Sequence, residues 1–297
     1  MEIRDEPEAP HIETPRLAIL FWWYKEPEIC ADRLRLLRRL NPGLPLYGLY
    51  GGPLLPGNVS PRMPGLLDDD WAFSEDRGAE WKWHHGDLMI SAWYRERGMK
   101  LEWDTLLIMQ WDMLALAPLR RIFGNVARDE IYLPGLRAIE EVGPHWWWTR
   151  PDTPQHDEFV RFTEMMAARY GFNGPYLACQ FVTGIVPRGF MDVYVANPEP
   201  ELGFLEYKMP AFASCMGLKL LKYPELDVVW PMDIGGKDKV TLTAAKREIG
   251  DALIASECLK PTGARLFHPI SRPFPSSRFG FTAWLARTLA RRALGQA

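Results

Sequence analysis

The feature that most constrains the fold is a strand-helix-strand pattern near the start of the chain. Residues Leu17–Trp22 form a continuous apolar run, which is typical of a parallel strand covered on both faces. Glu28–Leu40 then places apolar residues among arginines at helical spacing and ends at an Asn-Pro-Gly sequence. A second apolar segment, Leu44–Tyr50, ends at a Gly-Gly pair. Since such a βαβ unit takes a right-handed crossover, the pattern predicts a parallel sheet.

The rest of the chain continues in an α/β order. Periodicity predicts helices at Glu80–Arg97, Gln155–Tyr170 and Met209–Leu221, and strands at Trp103–Met109, Tyr176–Pro187 and Met191–Ala196. No internal repeat and no clear linker divides the chain. The predicted fold is therefore a single α/β domain whose mostly parallel, Rossmann-like sheet is flanked by helices. Residues 1–15 are predicted to be a flexible tail, and residues 279–297 an amphipathic helix.

Composition limits the class of protein. Of the 297 residues, 47% are hydrophobic and 25% are charged, which allows a large core. A net charge of −3 gives no overall positive field, so nucleic acid is not an expected partner. No apolar run approaches the roughly 20 residues that span a bilayer, and the first residues are acidic and proline-rich, unlike a signal peptide. Together with four scattered cysteines that lack a CxxC pair, these features predict a cytoplasmic protein.

Ligands of open parallel sheets bind beyond the carboxyl ends of the strands, so the residues that follow each strand are the first candidates for a site. Three such segments carry useful chemistry: Trp22-Trp-Tyr-Lys25, Tyr50-Gly-Gly52 and Gln110-Trp-Asp112. A carboxylate such as Asp112 at the end of a buried strand can hold Mg²⁺ or Mn²⁺ against a diphosphate, although helix caps and turns also use aspartate. His268, which Pro269 follows, offers an imidazole for a mixed oxygen and nitrogen site, although a lone histidine often makes only structural hydrogen bonds.

In their order along the chain, these motifs resemble the GT-A class of glycosyltransferases, and within it bacterial glycosyltransferase-like proteins. The matching features are the opening strand and helix, Gly51-Gly52, Trp81-Lys-Trp-His-His-Gly-Asp87, Gln110-Trp-Asp112 and Phe267-His-Pro269. The resemblance implies a GT-A-like domain over residues 16–278, in which residues 16–118 bind a UDP- or GDP-sugar and residues 119–278 bind a saccharide or another hydroxyl acceptor.

The resemblance also assigns residues to the donor and to a metal. Asp112 matches the last position of a DxD-type motif that binds the diphosphate through Mn²⁺ or Mg²⁺, whereas Gln110 stands where an acidic residue is common. His268 would complete the metal ligands together with the diphosphate. The donor-site assignments are Trp22, Trp23, Lys25, Asp69, Asp70, Lys82, Asp87, Gln110 and Asp112. For most of these residues an ordinary role in the core, in a turn or as a surface charge is the alternative.

A transfer with inversion needs a general base for the acceptor hydroxyl. Glu206 and Asp233, both in the second half, are the candidates, and a surface-helix glutamate and a turn aspartate are the alternatives. Two other functions stay open: a non-catalytic carbohydrate- or nucleotide-binding protein of the same fold, and a sugar nucleotidyltransferase. The second usually has a glycine- and basic-rich loop after the first strand, which Trp22-Trp-Tyr-Lys25 does not match.

Three further segments contain side chains that occur in binding sites. Trp146-Trp147-Trp148 predicts either an acceptor platform or a cover for the core. The arginine-rich segment Phe279–Leu294 predicts either a helix that packs on its own domain or peripheral contact with an anionic membrane. His84 and His85 do not indicate zinc, because adjacent helical side chains diverge by about 100°.

Overall fold

The computed structural model describes residues 14–54, 63–223, 226, 228–237, 239–245 and 247–294. Of the predicted tail, only residues 14 and 15 fall within this range, so the rest of that prediction lies outside the described residues.

The strands follow one another along the whole described chain. They are β1 (Leu17–Trp23), β2 (Leu46–Tyr50), β3 (Asp69–Ala72), β4 (Thr105–Gln110), β5 (Leu114–Ala115), β6 (Glu130–Tyr132), β7 (Arg137–Ala138), β8 (Leu177–Ala178), β9 (Thr183–Pro187), β10 (Lys219–Leu221) and β11 (Leu266–Phe267). The helices lie between and after them. They are α1 (Pro27–Leu40), α2 (Ala79–His84), α3 (Gly86–Glu96), α4 (Leu119–Phe123), α5 (Ile139–Val142), α6 (Pro154–Tyr170), α7 (Arg188–Tyr194), α8 (Leu205–Cys215), α9 (Asp251–Leu259) and α10 (Arg278–Ala293).

A mostly parallel sheet organises the structure, as the sequence predicted. Among the described residues it has seven strands in the order β10-β6-β9-β4-β1-β2-β3. All pairings are parallel except those of β9, which runs antiparallel to β4 and β6. Trp22 on β1 pairs with Leu49 on β2 and with Gln110 on β4. The carboxyl ends of these three central strands therefore meet at one edge.

Helices cover both faces of the sheet because β1 and β4 are apolar at every position that faces a helix. On β1, Ala18 and Leu20 join one hydrophobic cluster, which includes residues of α3 and α8. The alternate residues Ile19 and Phe21 join a second cluster, which includes residues of α1. Two-residue alternation thus sends neighbouring side chains into opposite layers, as expected for a central strand.

Several predicted boundaries were wrong. The predicted helix Glu80–Arg97 is two helices that meet at Gly86. The predicted strand Met191–Ala196 is instead part of α7, because buried Phe190, Met191 and Tyr194 lie on one side of a helix. The predicted strand Tyr176–Pro187 separates into β8 and β9.

The end of the chain builds a third hydrophobic cluster that joins α9, α10, β5 and β11. Trp284 of α10 lies 4.7 Å from Phe274 between ring centroids, and its indole N–H donates to Asp251 at 3.2 Å. Helix α10 therefore packs on its own domain. Among the described residues, no helix combines the length and apolar character needed to cross a bilayer.

Candidate functional site

A cleft of about 580 Å³ opens beyond the carboxyl ends of β1, β2 and β4. Trp22 lies near the end of β1 and Tyr24 follows it, a Gly-Gly pair follows β2, and Gln110 ends β4. The opposite wall is built from α2 and from the start of α8, which carries Glu206. Four residues predicted from the sequence therefore meet in one cleft: Trp22, Lys82, Gln110 and Glu206.

The Trp22 ring forms the base of this cleft and lies between two glycines. A Cβ on Gly86 would come 2.3 Å from Trp22 Cη2, and a Cβ on Gly51 would come 3.1 Å from Trp22 Nε1. Both glycines are therefore required by the close approach of an indole ring. The break between α2 and α3 at Gly86 has the same cause, since the chain turns where it passes over this ring.

We expect Gly86→Ala to weaken ligand binding in the cleft at least tenfold, because the new methyl group displaces Trp22 from its position. Alanine otherwise favours a helix over glycine by about 1 kcal/mol, so propensity alone would predict a more stable protein. Ligand-induced thermal shifts, measured over a range of ligand concentrations, test this expectation. Gly189→Ala in α7 is the matched control, because a Cβ there meets nothing within 4 Å. Equal binding by the two variants would contradict the prediction.

Two cations lie on the α2 side of the cleft. Arg77 is held by Glu75 at 3.1 Å and Glu201 at 3.4 Å, and its guanidinium stacks 4.7 Å above the Trp81 ring. Lys82 is half-buried and makes no ion pair with any residue in the described part of the chain. Burial lowers the pKa of Lys82, and the negative charge of Asp76 opposes that shift. An anionic ligand would supply the negative partner that Lys82 lacks in the described structure.

Glu206 is the acidic group of the opposite wall. Its Oε1 accepts a hydrogen bond from the Phe181 backbone N–H at 2.6 Å, and no cation lies within ion-pair distance among the described residues. Loss of hydration raises the pKa of this carboxyl from 4.5 to about 8, although the hydrogen bond from Phe181 opposes the shift. A carboxyl group that titrates near neutral pH can both accept and return a proton.

The backbone of Phe181 joins Glu206 to Gln110. The Gln110 amide Nε2 donates to the Phe181 carbonyl oxygen at 2.9 Å, while the Phe181 N–H binds Glu206. An aspartate or glutamate at position 110 would place a carboxylate against that carbonyl and lose the bond. Gln110 is therefore a structural donor on the cleft floor.

Asp112 and His268 are brought together next to the cleft. Asp112 Oδ1 lies 3.2 Å from His268 Nε2. The Thr243 carbonyl lies 2.7 Å from His268 Nδ1, so that nitrogen carries a hydrogen, and Nε2 is the ring atom that faces Asp112. The two facing atoms are buried, and neither makes a hydrogen bond in the described structure. With a proton on Nε2 the two side chains form an ion pair, and without it they offer one oxygen and one nitrogen ligand to a cation.

The pair lies beside the cleft and not on its wall. Asp112 stands two residues beyond Gln110, and the intervening Trp111 meets Tyr24 edge-on at 5.9 Å. Lys25 Nζ lies 5.0 Å from the centroid of Trp111, on the same side. Lys25 is exposed and does not line the cleft. Among the described residues, no group of three or more histidine, cysteine or acidic side chains is placed to hold a metal.

The structure corrects several donor-site assignments. Trp23 is fully buried against Tyr50, with ring centroids 4.5 Å apart, so its ring offers no surface to a ligand. Asp69 pairs with Arg97 at the far end of the sheet, and Asp70 packs over Gly48. Neither aspartate lines the cleft.

Asp87 and Asp233 also have structural partners. Asp87 is buried in an ion pair with Lys208, and Asp233 pairs with Arg137 on a 3-10 turn away from the cleft. Glu206 is therefore the better placed of the two base candidates. Of the tryptophan triplet, Trp146 and Trp148 are core residues, and only Trp147 is substantially exposed.

Sequence reasoning missed several residues that line the cleft. Phe181 and Phe204 line it from segments that carry no recognisable motif, and Asp76 and Arg77 lie in a short loop before α2. The charged Asp-Arg-Gly sequence before α2 could have indicated that these two loop residues line a site. The chain matches no protein-family model and no curated protein sequence. Its function therefore has to be inferred from the geometry of the site.

Proposed function

We propose that this protein is a glycosyltransferase of GT-A type, which moves a sugar from a nucleoside-diphosphate sugar to an acceptor hydroxyl. The observation that carries the proposal is the placement of Glu206 and Lys82 in one cleft beyond the carboxyl ends of the central parallel strands. Glu206 offers a proton acceptor, and Lys82 offers an unpaired positive charge. The mostly parallel sheet gives the expected location for a nucleotide.

On the donor side, Trp22 and Tyr24 present aromatic surface for a base or ribose, and Lys82 presents its charge to a phosphate. Arg77 stands in the same wall, but its ion pairs with Glu75 and Glu201 neutralise much of its charge. The polar groups are few and the rest of the cleft is apolar, which is the usual composition of a small-molecule site.

The Asp112 and His268 pair fits a divalent cation as a partial ligand set. One carboxylate oxygen and one imidazole nitrogen with a fixed tautomer are acceptable to Mn²⁺ or Mg²⁺, and both atoms lack a hydrogen bond in the described structure. The remaining ligands would come from water and from the diphosphate. When bound, such an ion would supply positive charge to the departing nucleoside diphosphate.

Glu206 would act on the acceptor. In its ionised form it takes the proton from the acceptor hydroxyl as that oxygen attacks the anomeric carbon. The Phe181 N–H fixes one carboxyl oxygen, and the other would take the proton. Since burial holds the pKa near 8, the basic form grows as the pH rises through this value.

We expect one class of nucleotide-sugar to raise the melting temperature in the presence of Mn²⁺, and Asp112→Asn to lose that rise. The panel contains UDP-, GDP- and dTDP-sugars, each with and without Mn²⁺. Saturation at about 100 times the Kd stabilises a protein by about 2.7 kcal/mol, which corresponds to a shift of several degrees. Asparagine keeps the shape of the side chain and removes its charge.

Asp104→Asn is the matched control for this experiment. Asp104 and Asp112 flank the two ends of β4, and their side chains are similarly exposed, at 12% and 15%. The control should lower stability through its lost bonds with Arg16 and Arg128, yet keep the Mn²⁺-dependent shift. No shift of the wild-type protein with any nucleotide would overturn the proposed function and favour a different ligand.

A further inference from the structure

Helix α10 carries concentrated positive charge. Residues 278–297 contain four arginines and no acidic residue, although the chain as a whole has a net charge of −3. None of these arginines, at positions 278, 287, 291 and 292, makes an ion pair with a described residue. Some exposed arginines elsewhere have a carboxylate partner, such as Arg35 with Asp32 and Arg169 with Glu199, whereas Arg121 and Arg161 make no ion pair with a described residue.

The side of α10 that points away from the domain carries an apolar stripe. Helix α10 buries Trp284 and Thr288 against its domain, which leaves the opposite side to solvent. At 100° per residue, Phe279, Ala286, Ala290 and Ala293 project along that side. Phe279 is 86% exposed, and Leu294 at the end of the helix is 71% exposed. On the same count, Arg278 and Arg287 border the stripe on its two sides, and Arg291 and Arg292 lie closer to the buried side of the helix.

From these two observations we propose that α10 binds the surface of a bilayer that contains anionic phospholipids. A helix with an apolar stripe beside arginines lies in the plane of such a surface, with its apolar side among the acyl chains and its cations at the phosphates. The inner face of α10 stays packed on α9. The positive charge of the arginines favours anionic lipids. The exposed phenyl ring of Phe279 favours a bilayer over a purely charged polymer. The proposal is independent of the function proposed for the cleft.

The full-length protein is tested by sedimentation with vesicles of phosphatidylcholine alone and of phosphatidylcholine with 30% phosphatidylglycerol. We expect binding only to the anionic vesicles, and a loss of affinity as salt rises. The triple variant Arg287→Gln, Arg291→Gln, Arg292→Gln should lose about a hundredfold in partitioning, since each arginine near the surface contributes about fivefold. Phe279→Ser should reduce binding further in combination.

A second triple variant distinguishes an effect of the α10 arginines from an effect of the protein's net charge. Arg35→Gln, Arg150→Gln, Arg169→Gln removes the same number of exposed arginines, and each of these has a carboxylate partner. It should bind anionic vesicles as the wild-type protein does. Equal losses in the two triple variants would overturn the proposal, as would no wild-type binding to anionic vesicles. Binding to heparin or an oligonucleotide without binding to vesicles would also overturn it and assign the charge to a polyanion.

Discussion

Replacing Glu206 by glutamine is expected to lower transfer by a factor of about 10²–10⁴ and, above pH 8, to make the protein more stable. Glutamine keeps an oxygen that accepts from the Phe181 N–H, but it cannot take a proton from a hydroxyl. The readout of activity is release of nucleoside diphosphate from the donor that raises the melting temperature. The two effects have opposite signs, so general damage to the fold cannot produce both.

The sign of the stability effect follows from the raised pKa. In the folded protein Glu206 holds its proton up to about pH 8, whereas the unfolded chain releases it near 4.5. Between these values the folded state binds more protons, so wild-type stability falls as the pH rises and levels off above 8. The shift corresponds to a loss of about 3–5 kcal/mol in the free energy of unfolding. Because Glu206 is partly open to solvent in the cleft, we expect the lower end of this range. The variant with glutamine should not show this loss.

Urea denaturation at pH 5 and pH 9 measures the difference. Glu130→Gln is the control, because Glu130 also accepts a backbone N–H, from Ala127 at 2.9 Å. That bond and Lys219 lower the pKa of Glu130, so its glutamine variant should be less stable than the wild type at pH 9. A Glu206→Gln variant that is active, or that loses stability at pH 9, would contradict the role given to this residue.

The sequence predicted the central fold because local patterns determine it. The apolar run in β1 and the leucines of α1 indicate their structures without any knowledge of distant partners. Helix α7 was mistaken for a strand because Met191–Ala196 is short and apolar, and periodicity does not distinguish a short strand from one side of a buried helix.

The site was predicted only in part, because local patterns indicate where strands end but not which distant residues meet there. Strand ends indicate where a ligand binds, and this placed Trp22 and Gln110 correctly in the cleft. The chemistry of a carboxylate alone does not indicate its partner. Asp69 pairs with Arg97, which lies 28 positions away in the chain, and only the fold brings the two together. The link between Gln110 and Glu206 runs through backbone atoms of Phe181, and no side-chain pattern reports such a contact.

The second large effect is expected at Lys208, whose replacement by methionine should cost about 3–5 kcal/mol of stability. Lys208 and Asp87 are 0% and 1% exposed, and Lys208 Nζ lies 2.9 Å from Asp87 Oδ2 and 2.7 Å from the Pro200 carbonyl oxygen. Without the lysine, the hydrogen bond from the Tyr194 hydroxyl, at 2.6 Å, is the one that Asp87 keeps among the described residues. A buried carboxylate with one donor is strongly destabilised. Thermal melting should show a decrease on the order of 10 °C.

The ion pair also ties together the helices that form the cleft. Asp87 follows Gly86, which packs on Trp22, and Lys208 lies one turn or less from Glu206 on α8. Lys208→Met should therefore weaken ligand binding even at temperatures where the protein is folded. Adding Asp87→Asn should recover part of the stability, because the double variant buries no net charge.

Lys219→Met provides the comparison that isolates burial. Lys219 Nζ lies 2.6 Å from Glu130 Oε1, which is closer than the buried pair, but its side chain is 68% exposed. Solvent screens such a pair, so its loss should cost far less stability than the loss of Lys208. If distance determined the energy, Lys219→Met would cost at least as much as Lys208→Met. A large loss of stability only at Lys208, reduced by Asp87→Asn, would show that desolvation of Asp87 makes the pair essential. It would also show that Asp87, predicted from the sequence as a ligand residue, is a structural charge.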